Sequence, residues 1–317
     1  AAIADNPDPA SFANTLEALE QTGQMLKRVS SSFHLLSGTC STDELQTIDE
    51  EVSPLLSRHA TAIGQNEKLF ARIDAVYSQR SNLTPEQARL AEEYHYTYRL
   101  AGVGLPPAEK ERIATINARL SEISTEFSNR LLNEAKAKCF VVDSEADLVG
   151  LPEAVKAAAA ETAAKRGHKG KYAFTLSRPE VETFLTSSER RDLREKLYTA
   201  FKQRGNANDA FDTKALIPEA IELRQERARI LGYKNHADMV TSHNMAKSPE
   251  AALGLLTDLW PPACHRFEEE KKELQAEAAE HGQNDPVQPW DWAFYAEKVR
   301  QKKYNLDEAT LKPYLEL

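Results

Sequence analysis

The sequence predicts a mainly α-helical protein with one small β element. Three observations carry this expectation. Apolar residues recur at helical spacing along nearly the whole chain. Ala, Leu, Glu, Lys, Arg and Gln are abundant, whereas glycine is held to 12 of 317 residues. Runs of β-like composition occur only twice, both short and both near the middle.

Taken in order, Leu26, Val29, Phe33 and Leu36 share one helix face, and Gly38 is expected to end that helix. Thr42 reads as the cap of the next helix, which continues through Leu45, Ile48, Val52, Leu55 and His59. Pro54 is expected to bend or interrupt it, because proline removes a donor and crowds the preceding turn. A further helix is predicted from Glu67 to about Gln79. Thr84-Pro85-Glu86 is a start signal, a capping side chain followed by proline at the first helical position. The clearest helix follows Pro106-Pro107, where Ile113, Ile116, Leu120, Ile123, Phe127 and Leu131 form a stripe expected to pack into a core.

The middle of the chain changes character. Cys139 to Val142 and Lys171 to Leu176 are predicted strands, separated by an Ala-rich helix from Ala154 to Arg166 that Gly167 closes. Two strands and one helix would make a small sheet on a helical body. Helix is expected to return near Pro179, continue from Ser188 to Arg204, and break at Gly205-Asn206-Ala207-Asn208. Long helices are predicted over Phe211 to Leu231, Pro249 to Gly282 and Trp290 to about Lys303. The Glu/Lys run from Glu268 to Glu277 reads as a solvated helix face.

With 317 residues and 41 % hydrophobic content the chain can bury a large core. A net charge of −9 opposes general binding to nucleic acid or acidic membranes, so neither is expected as a partner. No apolar run approaches the ~20 residues of a spanning helix. Cys40, Cys139 and Cys264 are odd in number and widely spaced, which predicts reduced, mostly buried thiols rather than a disulfide framework. That usage suits the cytoplasm, with the periplasm as the alternative. The chain starts at Ala1 without a Met and ends at Leu317 without a polar tail, and both ends read as cuts in a longer sequence.

The chemistry-bearing residues are sparse in pattern. None of the eight histidines is followed by Glu, and no pair stands at the i, i+4 spacing that places two imidazoles on one helix face. His236 and His243 could share a face only if a helix ran unbroken through Thr241-Ser242. No phosphate-binding glycine loop or serine-nucleophile elbow occurs. From the residues alone, no catalytic group and no metal ligand is assigned.

Several longer blocks carry a resemblance. They are Asn6 to Thr15, Leu26 to Phe33, SRPEVETFLTSSERRDLREKLYTAFKQRGN (Ser177 to Asn206), LRQERARILGYKNHADM (Leu223 to Met239), MAKSPEAALGLL (Met245 to Leu256) and QPWDWAFYAEKVRQKKYNLDEATLKPYLEL (Gln288 to Leu317). Together they resemble the N-terminal portion of the thimet oligopeptidase family of zinc peptidases, which includes oligopeptidase A and the bacterial peptidyl-dipeptidases. The run Trp290 to Glu297 leans towards the peptidyl-dipeptidase branch.

The resemblance implies a helical fold in two halves around a channel that admits short peptides and excludes folded proteins. It implies zinc in the C-terminal half, held by the two His of H-E-x-x-H and a later Glu, none of which this chain contains. All 317 residues would then belong to the helical channel-wall region, with a sub-boundary expected at His281 to Pro289 from its Gly, Asn and Pro content. The chain alone is expected to be inactive, to bind no zinc and to dock to the catalytic half. Trp290, Asp291 and Tyr295 are the candidates for touching substrate or the other half, against the plainer roles of helix cap for Asp291 and core packing for Trp290 and Tyr295. Leu311, Tyr314, Leu315 and Leu317 are expected to form an exposed apolar patch that self-associates. Two alternatives stand beside this: a helical interaction module without a peptidase parent, and an enzyme with a non-metal site.

Overall fold

The computed structural model describes residues 2–304. In chain order, a π-helical turn at Ala13–Glu17 runs into α1 (Ala18–Glu20), followed by α2 (Gln24–Thr39), α3 (Asp43–Gly64), α4 (Glu67–Ser78), α5 (Pro85–Leu100) and α6 (Pro107–Ala137). Next come β1 (Cys139–Val142), α7 (Glu153–Lys165), β2 (Tyr172–Thr175), α8 (Arg178–Ser187) and α9 (Arg191–Lys202). The described chain closes with α10 (Leu216–Ile230), α11 (His236–Thr241), α12 (Pro249–Glu280) and α13 (Trp292–Tyr304). The architecture is therefore mainly α with one two-stranded sheet. Among the described residues no helix is long and apolar enough to cross a membrane.

The chain divides into two compact units. Unit 1 comprises Ala1–Asn129 and Lys214–Pro249; unit 2 comprises Arg130–Thr213 and Glu250–Leu317. The segment His281 to Pro289 lies inside unit 2.

Unit 1 is built on capped helices. The Thr42 hydroxyl accepts from Leu45 N at 3.2 Å, and Asn66 does the same for Leu69 N at 2.9 Å. At Thr84 a full capping box forms, with Gln87 reaching back to the Thr84 N–H, which explains why α5 starts where Pro85 allows it. Leu16, Leu69, Ile73, Val76, Ala91 and Tyr98 form its core. The N-terminal segment is pinned by Arg72, only 9 % exposed, which donates to the Asn6 and Asp8 carbonyls and to Asn14 Oδ1 at 2.8–2.9 Å. On α6, Ile113, Ile116 and Ile123 are buried as the stripe predicts. Leu120 and Phe127 are half-buried and line an apolar groove of about 380 Å³ with Leu216, Ile217 and Ile221 of α10. Arg112 and Arg119 of α6 hold Glu226 and Glu219 of α10 through paired hydrogen bonds of 2.6–2.9 Å.

In unit 2, β1 and β2 pair antiparallel, Cys139 opposite Thr175 and Val142 opposite Tyr172. Phe174 meets Phe184 edge-on at 4.8 Å, in a core completed by Val142, Leu148, Leu151, Leu176, Val181 and Leu197. Arg166, just past α7, donates to the carbonyls of Ala135, Lys136 and Lys138 and so satisfies the open end of α6.

Five local expectations are corrected. α3 runs continuously through Pro54, and α2 extends past Gly38 to Thr39. The helix expected from Ser188 begins at Arg191, because Ser188 Oγ accepts from Arg190 N and the Ser188 carbonyl is taken by Arg194. The helix expected from Phe211 begins at Leu216. Before it, Phe211 N binds Asp209 Oδ1 and Thr213 N binds the Gly205 carbonyl, so the backbone is committed to a turn. The three thiols are free, but none is fully buried: Cys40 is exposed and Cys139 and Cys264 are half-buried.

Candidate functional site

Of the sequence-predicted site residues, Trp290, Asp291 and Tyr295 all lie in unit 2, where the loop after α12 enters α13. The loop forms because Gly282 takes φ +82 just beyond α12, a conformation that a side chain disfavours. It then turns back through Gln288, whose carbonyl accepts from Asp291 N at 2.9 Å.

Asp291 occupies the position before α13, and its carbonyl accepts the first helical bond, from Tyr295 N at 3.1 Å. Its carboxylate is directed elsewhere. Fully buried, it accepts from Arg194 Nη2 at 2.8 Å, Arg191 Nη2 at 3.0 Å, Gln288 N at 3.1 Å and Gln283 Nε2 at 3.3 Å. Arg194 is itself 1 % exposed and also donates to the Ser188 carbonyl at 2.7 Å and the Trp290 carbonyl at 3.3 Å. Its guanidinium lies 4.2 Å from the Phe294 ring centre, a cation–π contact in a desolvated setting. Burial by itself would raise the Asp291 carboxyl, but the hydrogen bonds from Arg191 and Arg194 outweigh it and hold the group below the usual carboxylate range. The same bond to Asp291 raises the Arg191 guanidinium.

Above this network lies an open cleft of about 730 Å³, lined by Arg191, His281, Gln283, Asp285, Tyr295 and Lys298 among others. Tyr295 is almost buried, its hydroxyl donates to Gln283 Oε1 at 3.0 Å, and burial pushes its phenol pKa up. Trp290 turns the other way. It packs half-buried against the core of unit 2, with its ring 6.3 Å from Tyr198. The structure thus gathers Asp291 and Tyr295 at the cleft, one beneath it and one in its wall, and packs Trp290 half-buried against the core. Both carboxylate oxygens of Asp291 are engaged by donors of the protein itself.

Arg191, Arg194, Gln283 and Phe294 are the members that sequence reasoning missed. One signal was available: Arg194 shares a helix face with Leu193, Leu197 and Phe201. A charge on an apolar face requires a buried partner.

The paired histidine idea fails on geometry. α11 ends at Thr241, and His243 instead hydrogen-bonds Glu93 at 2.8 Å and stacks on Tyr96 at 3.9 Å. Among the described residues no group of three His, Cys, Asp or Glu side chains comes together to hold a metal ion. The predicted apolar patch at Leu311, Tyr314, Leu315 and Leu317 lies outside the described residues.

Comparison with known proteins places these features in context. Residues 184–317 match the profile described as peptidase family M3. The whole chain is 40 % identical over 319 residues to a dipeptidyl carboxypeptidase of Escherichia coli (strain K12), of which it covers 47 %. It is 38 % identical to the Salmonella typhimurium dipeptidyl carboxypeptidase, again covering 47 % of that protein. Over 96 % of its length it is 31 % identical to oligopeptidase A of Escherichia coli, covering 46 % of it. The chain therefore spans about half the length of the curated relatives it matches.

Proposed function

We propose that this chain, similar to dipeptidyl carboxypeptidases along its whole length and to peptidase family M3 over residues 184–317, forms the N-terminal, non-catalytic half of a zinc-dependent oligopeptidase of the peptidyl-dipeptidase kind. One observation carries this reading. Identity reaches 40 % across the full chain, yet only 47 % of that relative is covered, and no His-Glu-x-x-His stands in the sequence. The zinc would then be held by the remainder of such a protein. The residues present here do not fit a zinc site among the described residues, so no hydrolytic step is assigned to them.

What these residues supply is a wall for a channel that admits short peptides. The cleft above Asp291 gives that wall a lining charged in both signs, with Arg191 and Lys298 set beside Glu189 and Asp285. Asp291 holds Arg191 in place and keeps its charge paired, so the lining is fixed before a peptide arrives. Free thiols and peptide substrates suit a cytoplasmic setting.

The purified chain, supplied with zinc, is expected to release no dipeptide from a short N-blocked peptide, and its downstream reading frame is expected to encode His-Glu-x-x-His. Chelator-sensitive hydrolysis by the chain alone would contradict the reading, as would a downstream frame without that motif.

A further inference from the structure

α12 is uneven along its length. Its second half is anchored: Leu274, Glu277 and Ala278 are buried, and Phe267 stacks flat on Trp292 at 5.0 Å. Its first half, PEAALGLLTDLWPPAC from Pro249 to Cys264, carries only two charged side chains, Glu250 and Asp258. There Leu253, Leu255, Leu256, Leu259 and Trp260 are each between 56 and 69 % exposed. At 100° per residue these five side chains fall on one face about 160° wide. Glu250, Thr257 and Asp258 occupy the other side. That is the pattern of a helix buried along one broad stripe, yet among the described residues nothing covers it.

We propose that this apolar face of α12 is the seat on which the second, zinc-binding half of the peptidase docks. The inference rests on the reading of the chain as one half of such an enzyme, and it names the surface. Two observations select this occupant. The relatives carry about as much polypeptide again as this chain spans, so a partner of domain size belongs with it. A net charge of −9 on every copy works against a second copy as the occupant. The apolar patch is larger than the scattered exposed residues of an ordinary surface and marks an interface.

The test mixes the chain with the portion of the Escherichia coli dipeptidyl carboxypeptidase that lies beyond the match, expressed as a separate polypeptide. Amide exchange is followed by peptide mass spectrometry. Peptides covering 252–264 should slow on mixing, while those of α7 stay unchanged. Leu256→Asp and Trp260→Asp, both at exposed positions, should keep the helical circular dichroism and weaken the complex by about tenfold or more. If a complex forms and releases dipeptides while 252–264 exchange as before and both variants bind normally, the half-enzyme reading stands and the α12 assignment falls. If the two polypeptides neither associate nor hydrolyse peptide, both fall. If the chain alone sediments as a dimer that Leu256→Asp makes monomeric, the occupant is a second copy and the proposal is wrong.

Discussion

Asp291→Asn tests whether the buried arginine–carboxylate network holds unit 2 together. The substitution keeps the shape of the side chain and removes its charge. Arg194, at 1 % exposure, cannot reach solvent and is left as a buried cation, whereas Arg191, with its side chain 35 % exposed, can turn outward. Breaking a buried pair by removing one partner typically costs about 3–5 kcal/mol, and the escape of Arg191 puts the expected loss near ~3 kcal/mol. With a urea slope of about 2 kcal/mol per M, the midpoint should fall by ~1.5 M. The assay is selective, because Trp260, Trp290 and Trp292 all lie in unit 2 and their fluorescence reports that unit alone. Arg191→Ala should cost less than half as much. The effect also has a pH signature. The folded Asp291 carboxyl is held below its usual value, so its contribution is fully present above the unfolded pKa of about 3.9 and is lost as pH falls through the folded one. The gap between wild type and Asp291→Asn should therefore close below about pH 4. A midpoint change smaller than ~0.3 M at neutral pH, or a gap that persists undiminished at pH 3, would refute the argument.

Two predictions concern unit 1. A Cβ added at Gly64 would sit 2.6 Å from the Ala101 Cβ, so Gly64→Ala should destabilise unit 1 by about 1–3 kcal/mol, read from far-UV circular dichroism during urea unfolding. Thr84→Ala removes the hydroxyl half of the capping box on α5 and should cost about 1 kcal/mol in the same assay, with Thr84→Ser restoring most of it.

The fold was legible wherever the signal was local. Thr42, Thr84-Pro85 and Gly167 mark real helix ends, and the two β-like runs pair as strands. Pro54 does not interrupt α3, because one missing donor leaves the helix continuous on either side. The starts of α9 and α10 were misplaced because neighbouring side chains, Arg194 donating to the Ser188 carbonyl and Asp209 accepting from Phe211 N, hold the preceding backbone in turns. At the candidate site the Trp-Asp block drew the eye, but its meaning depends on Arg194, which meets Asp291 across 97 residues. No spacing rule reaches that far. The bare face of α12 was invisible for a different reason: an apolar stripe in sequence says that something covers it, and only the structure shows that nothing in the described chain does.

If this chain is one half of a working peptidase, the two halves together should hydrolyse peptide. The most direct measurement is dipeptide release from a short N-blocked peptide by this chain, by the separately expressed remainder of the Escherichia coli dipeptidyl carboxypeptidase, and by the two mixed with zinc. Hydrolysis in the mixture should stand well above that of either polypeptide alone and be abolished by a chelator. Equal activity in the mixture and in the remainder alone would contradict it.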